Sequence, residues 1–386
     1  MDFQLTEDQR ALQDAARRFA QAELQDLARE LEETNHPVPL EMRQRYGELG
    51  FLGINIPEAY GGMGLGHLDA IIVLEEFAKV SAAVAFPVFE SATGPLRTVL
   101  LFGSDSLKER IVPKAVTGDL VAAVSMSEPA AGSALTDLTT RAVIDGDAIT
   151  ISGQKRWCSG GGHADAYVVY CRMSDKPGAG GIGAVLVEKD TPGLRYGRPE
   201  ELMGFRGIPS SDLFLDDVKV PLDNLIVPAG GFKKLMEAFD LERCGNATMA
   251  MSTAAAALDE TLAYVQERQQ FGKPIVDFQA VQLKLAEMAV KTEASRLLIW
   301  RAAQNAADGL PSPLESSIAK CYANEIAREV AALGMQLMGG YGYSREYAME
   351  QRLRDAFGWG IAGGTIDIQK INIAAGLVGR RFNQRA

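Results

Sequence analysis

Glu242 stands in Phe239-Asp240-Leu241-Glu242-Arg243, ahead of a stretch rich in Ala, Met and Ser. A helix of such small residues packs closely, so a carboxylate within it needs a reason. General-base chemistry is one, because burial would raise its pKa toward a working value. The plain alternative is a solvated helical glutamate with partners four residues away. Met126-Ser127-Glu128-Pro129-Ala130-Ala131-Gly132-Ser133 combines hydroxyl residues with a glycine turn. Such a segment lets backbone N–H groups approach a flat ring or a pyrophosphate closely, although an ordinary Pro-Gly turn reads the same way. Trp157 beside Ser159 suits stacking at a ring edge with one hydrogen bond, or else a Trp buried in a β core. Arg268, before Phe271-Gly272, suits an anion clamp at a helix end, or a surface salt bridge.

Other chemistries have little support. Cys158, Cys171, Cys244 and Cys321 form no CxxC pair, which argues against a zinc site or disulfide framework and for buried thiols. His36, His67 and His163 show no metal-ligating spacing. Residues 178–183, Gly-Ala-Gly-Gly-Ile-Gly, match GxGxxG, but a turn precedes them and a strand follows. A dinucleotide fingerprint needs a strand before and a helix after, so the run reads as a hairpin connection.

The elements that must position these residues follow from periodicity. Residues 5 to about 118 read as helical, with Glu7 to Glu33 as one amphipathic helix and further helices over 68–80 and 85–102. Residues 121 to about 225 carry short β-branched and aromatic runs: 143–144, 148–151, 167–170 and 184–187. Asp145-Gly146, Pro177-Gly178 and Pro192-Gly193 separate them as turns. From about 230 the chain is helical again, with Phe278, Val281, Leu285 and Met288 as a core-facing stripe. The 386 residues, 47% hydrophobic and 23% charged, suffice for a large core in one to three domains. A formal net charge of -11 argues against nucleic-acid binding. No run of about 18 apolar residues is present to span a bilayer. The start, Met1-Asp2-Phe3-Gln4, lacks a secretory pattern, and cytoplasmic residence is the expectation.

Four segments, in order and across nearly the whole length, resemble the acyl-CoA dehydrogenase family. They are the runs at Met126 and Trp157, the run Glu267 to Pro274, and the C-terminal glycine-rich stretch ending Gly363-Gly364-Thr365. The resemblance implies FAD, with Met126 and Ser127 on the flavin, Ser133 near the acyl-CoA or flavin phosphates, and Trp157 and Ser159 flanking the isoalloxazine. It implies that Arg268 and Phe271 reach a neighbouring subunit and meet the FAD diphosphate there. Gln336, Gly339 and Gly340 match positions that hold the adenosine and ribose part, and Thr365 one on the ring or pyrophosphate side. Ala134 stands where the family usually has aspartate.

Many members place their catalytic glutamate directly before the Gly-Thr pair, where this chain has Gly363. A subset resembling isovaleryl-CoA dehydrogenase carries it in a Glu-Arg pair instead, which points to Glu242 as base in the helix opening after Pro221. Gly363 keeps the backbone N–H that would hold the thioester oxygen, and its missing side chain would leave room for a branched or cyclic acyl group. Asp240 and Arg243 are expected to face CoA. The 85–102 helix should line the acyl tail with Phe86 and Phe89. If Glu90 and Arg97, seven apart on one helical face, reach that pocket, the acyl group is polar or carboxylated.

The implied fold is a multidomain α+β chain: an N-terminal α-helical domain (1–119), a β-barrel-like middle domain (120–228) and a C-terminal four-helix bundle (229–386). The implied assembly is a homotetramer, passing electrons to an electron-transfer flavoprotein. The expected reaction is α,β-dehydrogenation of an acyl-CoA. The rivals are a non-oxidising relative such as an acyl-CoA desulfinase or lyase, an enoyl-CoA reductase, and a non-enzymatic helical scaffold.

Overall fold

Residues 4–306 and 309–382 are described by a computed structural model. Met1-Asp2-Phe3, part of the N-terminal reading, lie outside the described residues. The chain opens with helices α1 (Glu7–Glu23), α2 (Gln25–Thr34), α3 (Leu40–Glu48), α4 (His67–Val80), α5 (Ala82–Ala92), α6 (Pro95–Phe102) and α7 (Asp105–Val116). Thr6 starts α1 with a capping box to Gln9, which satisfies two otherwise orphaned N–H groups.

The first helix is therefore shorter than its periodicity suggests, because the chain breaks at Leu24 and starts again as α2. A second break separates α5 from α6. Pro95 occupies the first turn of α6, and Gly94 before it has φ -91° and ψ -142°, outside the helical region that a following proline disfavours. Glu90 and Arg97 consequently lie on two different helices, not on one face of a single helix.

The middle segment holds β1 (Ala122–Ser125), β2 (Arg141–Asp145), β3 (Ala148–Ser159), β4 (Ala166–Arg172), β5 (Ile182–Glu188), β6 (Leu194–Tyr196), β7 (Ser210–Pro221) and β8 (Leu225–Val227). They form one sheet in the order β6-β7-β3-β2-β4-β5-β8, with β1 pairing β4. The end strands β6 and β8 are not paired with each other, so the barrel-like middle domain is a sheet left open at its ends among the described residues. Both faces of β4 are covered. Ala166, Val168 and Tyr170 enter one buried cluster, with Leu96, Ile111 and Leu235 from the helices; Tyr167, Val169 and Cys171 enter another with β3 and β7. This period of two explains why the strand reads as a continuous apolar run.

Helix α8 (Phe232–Glu267) then leads to a small hairpin, β9 (Gln269–Gln270) and β10 (Lys273–Pro274). The chain ends in α9 (Gln279–Asn305), α10 (Pro313–Met338), α11 (Gly340–Tyr343), α12 (Met349–Trp359) and α13 (Ile366–Val378). Helix α10 packs on α8, α9 and α13. One buried cluster joins α1, α2, α4 and α5 to α8, α9 and α10, so both ends of the chain share a core.

Helix α8 begins ten residues before Glu242, which puts the carboxylate inside the helix and away from its first turn. Gly245 lies where a Cβ would come within 2.1 Å of the Thr93 hydroxyl. Only glycine permits that approach of α8 to the α5–α6 link, which brings Glu90 and Glu242 to one cavity.

Candidate active site

A cavity of about 1240 Å³ runs between the sheet, α5, α8 and α13. Single-ligand pockets are roughly 300–1,000 Å³, so the space suits two extended ligands side by side. Of the residues singled out in the sequence, Glu90, Met126, Ser127, Ser133, Trp157, Ser159, Asp240, Glu242, Arg243, Gly363 and Thr365 line it.

Trp157 is 54% exposed, which rules out a Trp sealed in the β core. Its φ of 60° is unusual for a bulky residue, and it sits where the β3–β7 register slips between Lys155 and Cys158. A bulge with a strained residue re-aims a side chain, here toward the cavity, with the Arg156 guanidinium 4.0 Å from the indole centroid. The 126–133 segment, whose Ser127 carbonyl accepts from the Arg156 N–H at 2.8 Å, is pinned by a buried ion pair. Lys155 Nζ donates to Glu128 Oε1 at 2.9 Å and to the Met126 carbonyl at 3.1 Å. Glu128 also accepts from the backbone N–H groups of Thr139 and Thr140. Burial alone would raise the Glu128 carboxyl, but the Lys155 charge and these donors outweigh it and hold it at about 2.

Glu242 forms no hydrogen bond or ion pair with any described residue, so the solvated-helix alternative with i,i+4 partners does not hold. Burial pushes its carboxyl up to about 8, against the pull of Lys320 and Arg243. On the facing helix, burial and then the nearby Glu242 charge hold Glu90 well above the carboxylate range. Glu90 Oε2 is buried and has no partner among the described residues. Two carboxyls thus share one cavity and both favour the protonated form near neutrality. Arg243 is paired with Asp240, which also accepts from the Ser316 hydroxyl at 3.0 Å.

Arg97 does not line this cavity. It is buried on α6 and donates to the Asn55 carbonyl at 2.9 Å, while burial lowers its pKa to about 10. The room expected beside Gly363 is not open either. The residue has φ +64°, and a Cβ there would lie 3.2 Å from Lys320 Nζ and 3.5 Å from the Phe239 ring. The N–H groups of Gly363 and Gly364 donate to no described residue. Thr365 caps α13, its hydroxyl accepting from the Ile368 N–H at 3.3 Å.

Arg268, Phe271, Gln336, Gly339 and Gly340 lie elsewhere, toward one end of the helical bundle and outside the cavity wall. Arg268 ends α8 with its guanidinium 5.8 Å from the Tyr341 ring, which follows Gly339 and Gly340. Phe271 is 92% exposed at the tip of the β9–β10 hairpin, where it and Gly272 have positive φ. Gln336, Gly339 and Gly340 are exposed.

Three family models match the chain in series. They are the acyl-CoA dehydrogenase N-terminal domain at residues 6–119, middle domain at 123–218 and C-terminal domain at 229–378. Among curated relatives, an acryloyl-CoA reductase (NADH) of Anaerotignum propionicum is 38% identical over 97% of this chain and 95% of its own. A 3-sulfinopropanoyl-CoA desulfinase of Paraburkholderia xenovorans is 36% identical over 99% of each. A solved glutaryl-coenzyme A dehydrogenase–glutaryl-CoA complex superposes with a TM-score of 0.95 at 35% identity, covering 100% of this chain and 98% of that one.

Proposed function

Since the chain belongs to the acyl-CoA dehydrogenase family, we propose that it is a FAD-dependent dehydrogenase of a short acyl-CoA in which Glu242 removes the α proton. The observation that carries this reading is the unpaired Glu242 carboxyl on the wall of the same cavity as the free N–H of Gly363. The residues present fit the cofactor. The exposed face of Trp157, the pinned 126–133 segment, Ser159 and Thr365 would hold the flavin end of FAD. When bound, FAD supplies the two-electron acceptor that takes the β hydrogen as hydride.

The protein's own residues do the remainder. Glu242 holds the proton at its carboxylate once it is lost from the α carbon. The Gly363 N–H donates to the thioester oxygen, where negative charge develops as that proton leaves. Apolar walls at Phe86, Phe89 and Phe239 exclude water, which keeps the Glu242 carboxylate basic. Asp240 and Arg243, fixed to each other, would meet the CoA part. Glu90, protonated and without a partner, would donate to a polar atom on the acyl tail. Without Arg97 on the wall, a polar acyl group is better supported than a carboxylated one. Arg268, Phe271, Gln336, Gly339 and Gly340 would complete the adenosine end of the cofactor site in a second copy, as a homotetramer. An electron-transfer flavoprotein would take the electrons onward.

The test is anaerobic mixing of the purified flavoprotein with a panel of saturated acyl-CoA thioesters. The proposal expects at least one to bleach the flavin. Bleaching by none, with an enoyl-CoA consumed under a reductant, would favour the reductase reading. Release of sulfite from 3-sulfinopropanoyl-CoA without bleaching would favour the desulfinase reading. A purified protein that takes up no FAD would favour the scaffold.

A further inference from the structure

We propose that Lys320 is a positioning residue of this site: its ammonium grips the loop 362–364 and thereby aims the Gly363 N–H at the place where the thioester oxygen would lie. The inference rests on the reading of Gly363 as that donor. Lys320 is on α10, 1% exposed, and absent from the cavity wall, so it acts through the loop and not on a ligand.

Its three donors are all used. Nζ donates to the carbonyls of Ala362 at 2.6 Å, Gly363 at 2.6 Å and Gly364 at 2.8 Å. Burial, and then the Arg243 charge, pull Lys320 down to about 7, but three carbonyl acceptors need three N–H groups, which only the ammonium has. Three successive carbonyls turn to one side only because Gly363 and Gly364 have φ of +64° and +87°, a run that L side chains resist. No cis peptide is present among the described residues, and in a trans peptide C=O and N–H point opposite ways. Tying the Ala362 carbonyl to Lys320 therefore turns the Gly363 N–H away from α10, toward the open side of the loop. Tying the Gly363 carbonyl does the same for the Gly364 N–H.

The grip is itself held. The Lys320 carbonyl accepts from Asn324 Nδ2 at 2.8 Å, which also donates to Asn246 Oδ1 at 2.9 Å. Asn246 is on α8, one turn beyond Glu242. A Cβ at 363 would stand 3.2 Å from Nζ, and the φ of +64° disfavours a side chain there in any case. The cation has a second effect, on the base. Lys320 and Arg243 both draw Glu242 toward its charged form. Glu90 on α5 and Tyr170 on β4 face the same carboxyl and feel its charge.

The experiment uses the FAD-loaded wild type, Lys320→Met and Lys320→Gln, with bound FAD and Tm recorded for each. Two quantities are read. One is the thioester carbonyl stretch of a bound enoyl-CoA, which needs no turnover. The other is the pH profile of flavin reduction by an acyl-CoA that the wild type accepts. Lys320→Met is expected to move the stretch back toward its value in free solution. Its reduction rate should fall about 10-fold or more, with the profile midpoint shifted to higher pH. Lys320→Gln keeps two N–H donors without charge, so it should retain part of the stretch shift yet move the midpoint as Met does. If Lys320→Met does not fold, the midpoint of Lys320→Gln decides. A folded, FAD-loaded variant with the wild-type stretch and midpoint overturns the proposal. If no acyl-CoA bleaches the wild-type flavin, the dehydrogenase reading fails, and the stretch still decides the role of Lys320.

Discussion

At the scale of single residues, the site turns on a carboxyl that burial keeps protonated. Glu242 stands at about 8 with the cavity open, and only its charged form can take a proton. Flavin reduction in the free enzyme should therefore rise as pH climbs through about 8. The sign follows from burial, which favours the neutral carboxyl below that value. A profile flat from pH 6 to 9 in kcat/KM would remove Glu242 from the base's role. The sequence made this residue legible through its surroundings, because Ala-, Met- and Ser-rich neighbours imply close packing. Lys320 was not legible. A lone lysine on a helix reads as a solvated residue, and its burial depends on a loop more than forty residues away. Lys155 and Glu128 escaped for the same reason: a buried ion pair between strand and loop leaves no spacing to read.

At the scale of elements, the sheet's contribution is to fix the loop that follows β1. Glu128→Gln keeps the shape but leaves the Lys155 ammonium buried beside a neutral amide. Stability should drop by about 3 kcal/mol, the size expected when one partner of a buried pair is removed. The carboxyl lies at about 2 in the folded chain against 4.5 ordinarily, so its contribution is present above 4.5 and lost as pH falls toward 2. Chemical denaturation at several pH values checks this: the wild type should lose stability over that window and Glu128→Gln should lose less. Strands with β-branched runs were legible in the sequence, as β2, β3, β4 and β5 show. Strand β7 was less so, since Asp212, Asp216, Asp217 and Lys219 interrupt its apolar residues. The break at Leu24 carried no glycine or proline signal. The break at Gly94-Pro95 did carry one, and it alone separates Glu90 from Arg97.

At the scale of the whole molecule, two groups of candidate residues are kept apart. One lines the cavity between sheet and bundle; the other, with Phe271 at a hairpin tip and Arg268 beside Tyr341, faces outward. An exposed phenylalanine held by two left-handed residues is poorly explained by a lone chain in water. Phe271→Asp is expected to shift the mass seen by light scattering from an oligomer toward the single chain, with FAD lost in parallel. An unchanged mass with full FAD would separate this hairpin from both assembly and cofactor. The helical, sheet and helical order was legible because the period of the apolar pattern changes twice along the chain. The shared core of its two ends was not, since that contact joins residues more than 150 positions apart.

One rate comparison isolates Glu242 as the base. Wild type and Glu242→Gln, both loaded with FAD and of equal Tm, are mixed anaerobically with the acyl-CoA that bleaches the wild type fastest. The expected result is normal FAD binding with the reduction rate lowered by about 10²-fold or more in the variant. Reduction within about threefold of wild type would contradict it, because a lost general base cannot cost so little.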